Sequence, residues 1–189
     1  YCILWRYPRM YDILNQFLKI MSEELNEFTD ISPYTDAEAV EALGKLADHP
    51  AVVEVSKAIF PDKEPEFLRK ILKSVKSIDE FQVLVMNKAV EWVLSTTAHN
   101  FSYDGIGNLK KINGKFLAMS NHRDIILDPA ITQVVLYRNA IPMTEIAVGS
   151  NLLTNKYIEY LIRSNRMIKV IRGINARQLY LSSQVLSKY

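Results

Sequence analysis

Apolar positions recur every three to four residues through the first half of the chain and fall in short continuous runs through the second. The first pattern predicts helices packed on one face, and the second predicts strands inside a sheet. Thr35, Asp36, Ala37 and Glu38 open a helix that places Val40, Leu43, Leu46 and Ala47 on one face and ends before Pro50. Residues 51–60 predict a second helix, stopped by Pro61 and Asp62, and residues 65–75 a third. Ser77, Ile78, Asp79 and Glu80 form a capping-box pattern that opens a fourth through Phe81, Leu84, Val85, Ala89, Trp92 and Val93. From Phe101 the period changes. Residues 101–103 read as a short strand, residues 104–108 as a turn-rich break, and Asn113-Gly114 as a tight turn before a strand at 115–120. Alternation then continues: helix 129–138, strand 143–148 ending at Gly149, helix 151–163, strand 166–172, helix 175–187. Strands separated by helices predict an α/β fold, a mainly parallel sheet with flanking helices, preceded by a helical region.

The N-terminal twenty residues stand apart. Ile3, Leu4, Trp5, Tyr7, Tyr11, Ile13, Leu14, Phe17 and Leu18 accompany Arg6, Arg9 and Lys19, with positions 10, 13, 14, 17, 18 and 21 forming an apolar face at helical spacing. A basic, aromatic amphipathic segment of this kind can lie in a membrane interface, pack on its own domain, or be an upstream extension. It is too interrupted for a cleavable signal peptide. The chain lacks an initiator Met at position 1, Met21 would make a natural start, and Tyr189 follows a helical pattern without a stop signal. The sequence therefore reads as a fragment in three parts: an amphipathic extension (1–27), a helical region (28–99) and the N-terminal part of an α/β domain (100–189).

Charge adds a second asymmetry beneath the net value of +2. Residues 21–81 hold fourteen acidic and seven basic side chains, whereas Lys156, Arg163, Arg166, Lys169, Arg172, Arg177 and Lys188 face only Glu159 among residues 151–189. Such a split points to an anionic partner for the C-terminal part, or to a solvated basic face. The lone cysteine, Cys2, allows no intrachain disulfide and fits a reducing compartment. No run approaches the roughly 20 apolar residues of a membrane span. The three histidines and one cysteine lack metal-ligand spacing. Gly105-Ile106-Gly107 continues to Lys110 without the third glycine of a dinucleotide fingerprint, and no nucleophile elbow occurs. His49, before Pro50, reads as a helix-end residue and His99 as a loop residue.

Reactive chemistry concentrates after the strand at 115–120, where Asn121, His122, Arg123 and Asp124 follow an apolar run. In open α/β sheets ligands bind beyond the carboxyl ends of strands, where an imidazole can take a proton from a hydroxyl. A buried structural histidine is the competing reading of His122. Asp128 precedes Pro129 as an N-cap would, and a capping carboxylate stays ionised with lone pairs left for an imidazole N–H. Asp124 competes for that role but lies only two residues beyond His122. Arg172 ends a strand beside Gly173, where a guanidinium can hold phosphate bidentately, or simply be a surface arginine.

The block Ser120, Asn121, His122, Arg123, Asp124, Ile125, Ile126, Leu127, Asp128, Pro129 resembles the first signature of the glycerolipid acyltransferases, the glycerol-3-phosphate and 1-acylglycerol-3-phosphate acyltransferases. The likeness extends through residues 144–153 (Thr-Glu-Ile-Ala-Val-Gly-Ser-Asn-Leu-Leu) and 167–172 to Arg177 and Gln178, and is nearest a bacterial, Bacteroidetes-like branch. It implies that His122 is the general base for an acceptor hydroxyl that attacks an acyl thioester of CoA or acyl carrier protein. Asp128 would orient His122, Arg172 would contact the acceptor's phosphate, and Asn121 and Arg123 would assist within the first block. No cofactor or metal is implied. The implied partners are the acyl donor, a glycerol phosphate or lysophospholipid acceptor and an anionic membrane surface, but no nucleic acid. The implied location is peripheral, on the cytoplasmic face of the cell membrane.

Two departures from the family pattern stand out. His122 and Asp128 are separated by five residues where the family block has four, which on an ideal helix would leave them ~240° apart. A turn or cap must therefore bring them together. The family's third block, a Glu-Gly-Arg-type loop that binds phosphate, does not occur, so weak binding or inactivity is expected of the fragment alone. Acylation of another lipid acceptor, such as an aminoacyl lipid, and a non-catalytic membrane- or partner-binding module are the alternatives.

Overall fold

The computed structural model describes residues 30–121, 123–172 and 175–189. The segment 1–20, the start expected at Met21, and His122 lie outside these residues. The fold is mixed α/β, predominantly helical, with a small two-stranded parallel sheet. Its elements are α1 (Asp36–Ala47), α2 (Ala51–Ile59), α3 (Phe67–Ser74), α4 (Ile78–Phe81), a π-helical turn (Gln82–Met86), α5 (Asn87–Thr97), α6 (Ile106–Leu109), α7 (Leu127–Arg138), β1 (Ile146–Gly149), a 3-10 turn (Ser150–Leu152), α8 (Lys156–Arg163), β2 (Met167–Val170) and α9 (Ala176–Lys188). The chain divides into two compact units. One comprises residues 30–32 with Ala147–Leu152 and Ile168–Tyr189; the other comprises Pro33–Ile146 and Leu153–Met167.

The larger unit is built on the helical periodicity of the sequence. Leu43 and Ala47 of α1, Val52 of α2, Leu68 and Leu72 of α3, and Val75, Phe81 and Val85 form one buried cluster. Phe81 and Leu43 are wholly removed from solvent. Truncating such a core aromatic or leucine typically costs ~2–5 kcal/mol, so this cluster is the main source of the unit's stability. Helix α7 packs against α5 and buries Gln133, Val134 and Leu136. The π-helical turn is invisible in the sequence pattern. It places Gln82 in the interior, where its amide donates to Asn165 Oδ1 (3.0 Å) and accepts from Arg166 Nε (3.0 Å).

Capping fixes where α1 begins. The Thr35 backbone N–H and hydroxyl both donate to Glu38 Oε2 (2.8 Å each), and the Glu38 N–H donates back to Thr35 Oγ1 at 3.4 Å. Thr35→Ala is expected to lower stability by about 1 kcal/mol in urea unfolding. The backbone N–H of Thr35, then its hydroxyl, hold the Glu38 carboxyl below its ordinary pKa. A depressed carboxylate stabilises the fold above its unfolded pKa, and that contribution is lost as pH falls through the lower folded-state value. Glu38→Gln should therefore flatten the acid side of the stability profile, and an unchanged profile would contradict this role.

The smaller unit carries most of the sheet. β1 and β2 run parallel, and the Lys169 N–H on β2 donates to Ile31 O at 2.8 Å. Both strands are shorter than the runs predicted at 143–148 and 166–172. Two further strands expected from the sequence, 101–103 and 115–120, are irregular in the structure. Leu117 and Met119 are 86% and 87% exposed, so an apolar run did not dictate burial. A strand requires a completed hydrogen-bond ladder, and among the described residues the one ladder is that of β1 with β2.

Candidate active site

The loop leading into α7 is held by two carboxylates acting on backbone N–H groups. Asp124 Oδ1 accepts from Ile126 N (2.8 Å) and Leu127 N (2.7 Å). Asp128 Oδ2 accepts from Arg123 N (2.6 Å) and Asp124 N (2.8 Å). Asp124 thus satisfies the donors at the start of the helix, and Asp128, one turn further on, reaches back. This reciprocal arrangement is related to a capping box and puts negative charge at the favourable end of the helix dipole. It corrects the expected N-cap role of Asp128. The helix starts at Leu127, so Asp128 and Pro129 lie within its first turn; Ile126 is the N-cap and makes no side-chain cap bond, and Asp124, two residues earlier, accepts from Ile126 N and Leu127 N.

The same geometry accounts for the five-residue spacing. Residues 123–126 are not helical, so the ~240° separation of an ideal helix does not apply. The Asp128 carboxylate instead returns to the amide of Arg123, the residue that follows His122 in sequence. His122 lies outside the described residues. Asn121 and Arg123 are exposed, as are Ile125 (52%) and Ile126 (71%). The loop therefore presents polar groups beside uncovered apolar side chains.

Helix α7 is anchored behind this loop. Gln133 is buried and bonded twice to Thr144: its Nε2 donates to Thr144 Oγ1 and its Oε1 accepts from Thr144 N, both at 2.9 Å. These paired bonds lock the helix register against the segment leading to β1. Sequence reasoning did not single out Gln133, because an amide on a helix face resembles any surface glutamine.

Arg172 lies two residues beyond β2, in the smaller unit. Its backbone N–H donates to Ser150 Oγ at 3.2 Å, which ties it to the chain just after β1. Its guanidinium lies against Gly149: a Cβ placed there would sit 2.8 Å from Arg172 Nε and 2.6 Å from Asn151 Oδ1. Ser150 and Asn151 lie within the family-like stretch 144–153, which implies no role for either. Their sole signal was their place just after a strand-ending glycine.

The basic C-terminal balance is largely consumed internally. Lys156 and Arg163 pair with Glu159 (3.0 and 3.4 Å), Arg166 with Asp79 (2.6 Å) and Lys169 with Asp30 (2.7 Å). Burial pushes the Glu159 carboxyl up, but the hydrogen bonds and charges of Lys156 and Arg163 outweigh it and leave its pKa lowered. Among the described residues, Arg172 has no carboxylate partner. Among the same residues, no group of three His, Cys, Asp or Glu side chains could hold a metal, and no helix is long and apolar enough to cross a membrane. Compared with known proteins, the chain matches no family model, no curated protein and no solved structure.

Proposed function

We propose that this protein transfers a fatty acyl group from acyl-CoA or acyl carrier protein to a hydroxyl of glycerol-3-phosphate or 1-acylglycerol-3-phosphate. The observation that carries this reading is the return of the Asp128 carboxylate to the backbone beside His122, at the family-like block. In the proposed reaction His122 takes the proton of the acceptor hydroxyl as its oxygen attacks the thioester carbonyl carbon. The C–O ester bond forms, the C–S bond breaks, and the imidazolium returns the proton to the leaving thiolate. Asp128 orients the imidazole and stabilises its charged form, while its bonds to Arg123 N and Asp124 N hold the carboxylate in place. Arg172 takes the acceptor's phosphate. An acyltransferase-like α/β domain is the finer fold this reading entails.

The uncovered side chains of Leu117, Met119, Ile125 and Ile126 flank the block and suit an amphiphilic substrate and a peripheral place on the cytoplasmic membrane face. The same exposure is what favours the second reading, a non-catalytic module that binds membrane or partner; it predicts that His122→Ala leaves function intact. The acceptor assignment is tested by comparing glycerol-3-phosphate with glycerol. Arg172→Ala is expected to raise KM for glycerol-3-phosphate roughly 10- to 100-fold, as loss of a charge-assisted phosphate contact implies, with kcat changed little. Equal use of both acceptors by the unmodified protein would contradict the phosphate role.

A further inference from the structure

We infer that Gly149 and Asn151 shape the phosphate seat at Arg172, Gly149 by leaving room for the guanidinium and Asn151 by turning its side-chain oxygen to the same space, where it can accept from the guanidinium and hold it. This rests on the proposed acceptor and names two residues to which the resemblance assigns no role. Arg172 Nε and Asn151 Oδ1 both come within 3 Å of the point a Cβ on Gly149 would occupy (2.8 and 2.6 Å), closer than real Cβ contacts come. Gly149 is not among the glycines with positive φ, which are Gly105 and Gly114. Its backbone would accept alanine. What a methyl group would displace is the ends of two side chains.

Those two side chains are complementary to each other, and the guanidinium to a phosphate monoester. The guanidinium offers paired N–H donors and a full positive charge to phosphate, and the carboxamide oxygen of Asn151 is an acceptor suited to holding one of its N–H groups. The backbone of Arg172 is fixed by its bond to Ser150 Oγ, so the guanidinium is delivered from a held base. Its charge is available: Arg163, Arg166 and Lys169 are engaged by acids, whereas among the described residues no carboxylate pairs with Arg172. A phosphate could also come from CoA, so the test must separate the two sources.

The test follows the Arg172 Nε–Hε resonance in ¹⁵N-labelled protein titrated with glycerol-3-phosphate, glycerol and CoA. The unmodified protein is expected to respond to glycerol-3-phosphate and not to glycerol, with a dissociation constant weakened about 10-fold or more by Gly149→Ala and by Asn151→Ala. Asn151 is exposed, so its truncation leaves the fold intact and keeps the test meaningful if Gly149→Ala folds poorly. If both variants bind glycerol-3-phosphate as tightly as the unmodified protein, which itself responds, the inference fails and the proposed function stands. If glycerol-3-phosphate leaves the unmodified protein unmoved, or only CoA moves it, the inference and the acceptor assignment fall together.

Discussion

His122→Ala is expected to lower the rate of acyl transfer by roughly 10²- to 10⁴-fold, the range that a positioned general base contributes. An acceptor hydroxyl is a poor nucleophile while it keeps its proton, so removing the base that takes it slows the attack. The loss should appear in kcat with glycerol-3-phosphate and with its 1-acyl derivative alike, because the base acts on the hydroxyl and not on the rest of the acceptor. Binding of glycerol-3-phosphate at Arg172 should persist. Retention of more than about a tenth of the rate would remove His122 from the chemistry and favour the binding-module reading.

The second large effect concerns Asp128, where structural and chemical roles can be separated. Asp128→Ala removes the acceptor for Arg123 N and Asp124 N and is expected to cost about 1–2 kcal/mol of stability, as loss of a helix-start cap does, along with most of the activity. Asp128→Asn keeps a carbonyl oxygen for those two donors, so stability should fall by less than about 0.5 kcal/mol. An amide cannot stabilise an imidazolium as a carboxylate does, so turnover should still drop roughly 10²-fold or more. Full activity in Asp128→Asn would mean that the side chain only shapes the loop.

How much of this could be read beforehand depended on the range of the interaction. Helices α1 to α5 follow from 3.6-residue periodicity and from local signals such as Thr35 and Glu38, because a cap is made within four residues. The π-helical turn did not follow: its wider turn shifts the buried face, so that Gln82 and Asn87 are buried while Leu84 and Trp92, expected on the apolar face, are exposed. Asp128 before Pro129 reads as a cap, yet the N-cap position falls to Ile126 and the amides at the helix start bond to Asp124. Two acids four residues apart can each serve a helix start, and the backbone path between them decides which does. Apolar content at 115–120 could not reveal whether a strand would find a partner.

Longer-range features were less legible. The positive balance of residues 151–189 suggested an open basic face. Arg166 and Lys169 instead pair with Asp79 and Asp30, which lie 87 and 139 positions away in sequence. Arg172 was singled out by its place at a strand end, but its seat against Gly149 and Asn151 depends on two separate segments converging. Sequence spacing within either segment carries no record of that contact.

The central claim is tested most directly by transfer itself, measured on the protein as its natural gene encodes it. The protein is incubated with glycerol-3-phosphate or its 1-acyl derivative and with labelled acyl-CoA or acyl carrier protein, and the products are separated by mass. The account predicts a new ester on one of the two acceptors, formed in step with free thiol and dependent on His122. Folded protein that releases no thiol and esterifies neither acceptor with either donor would contradict it.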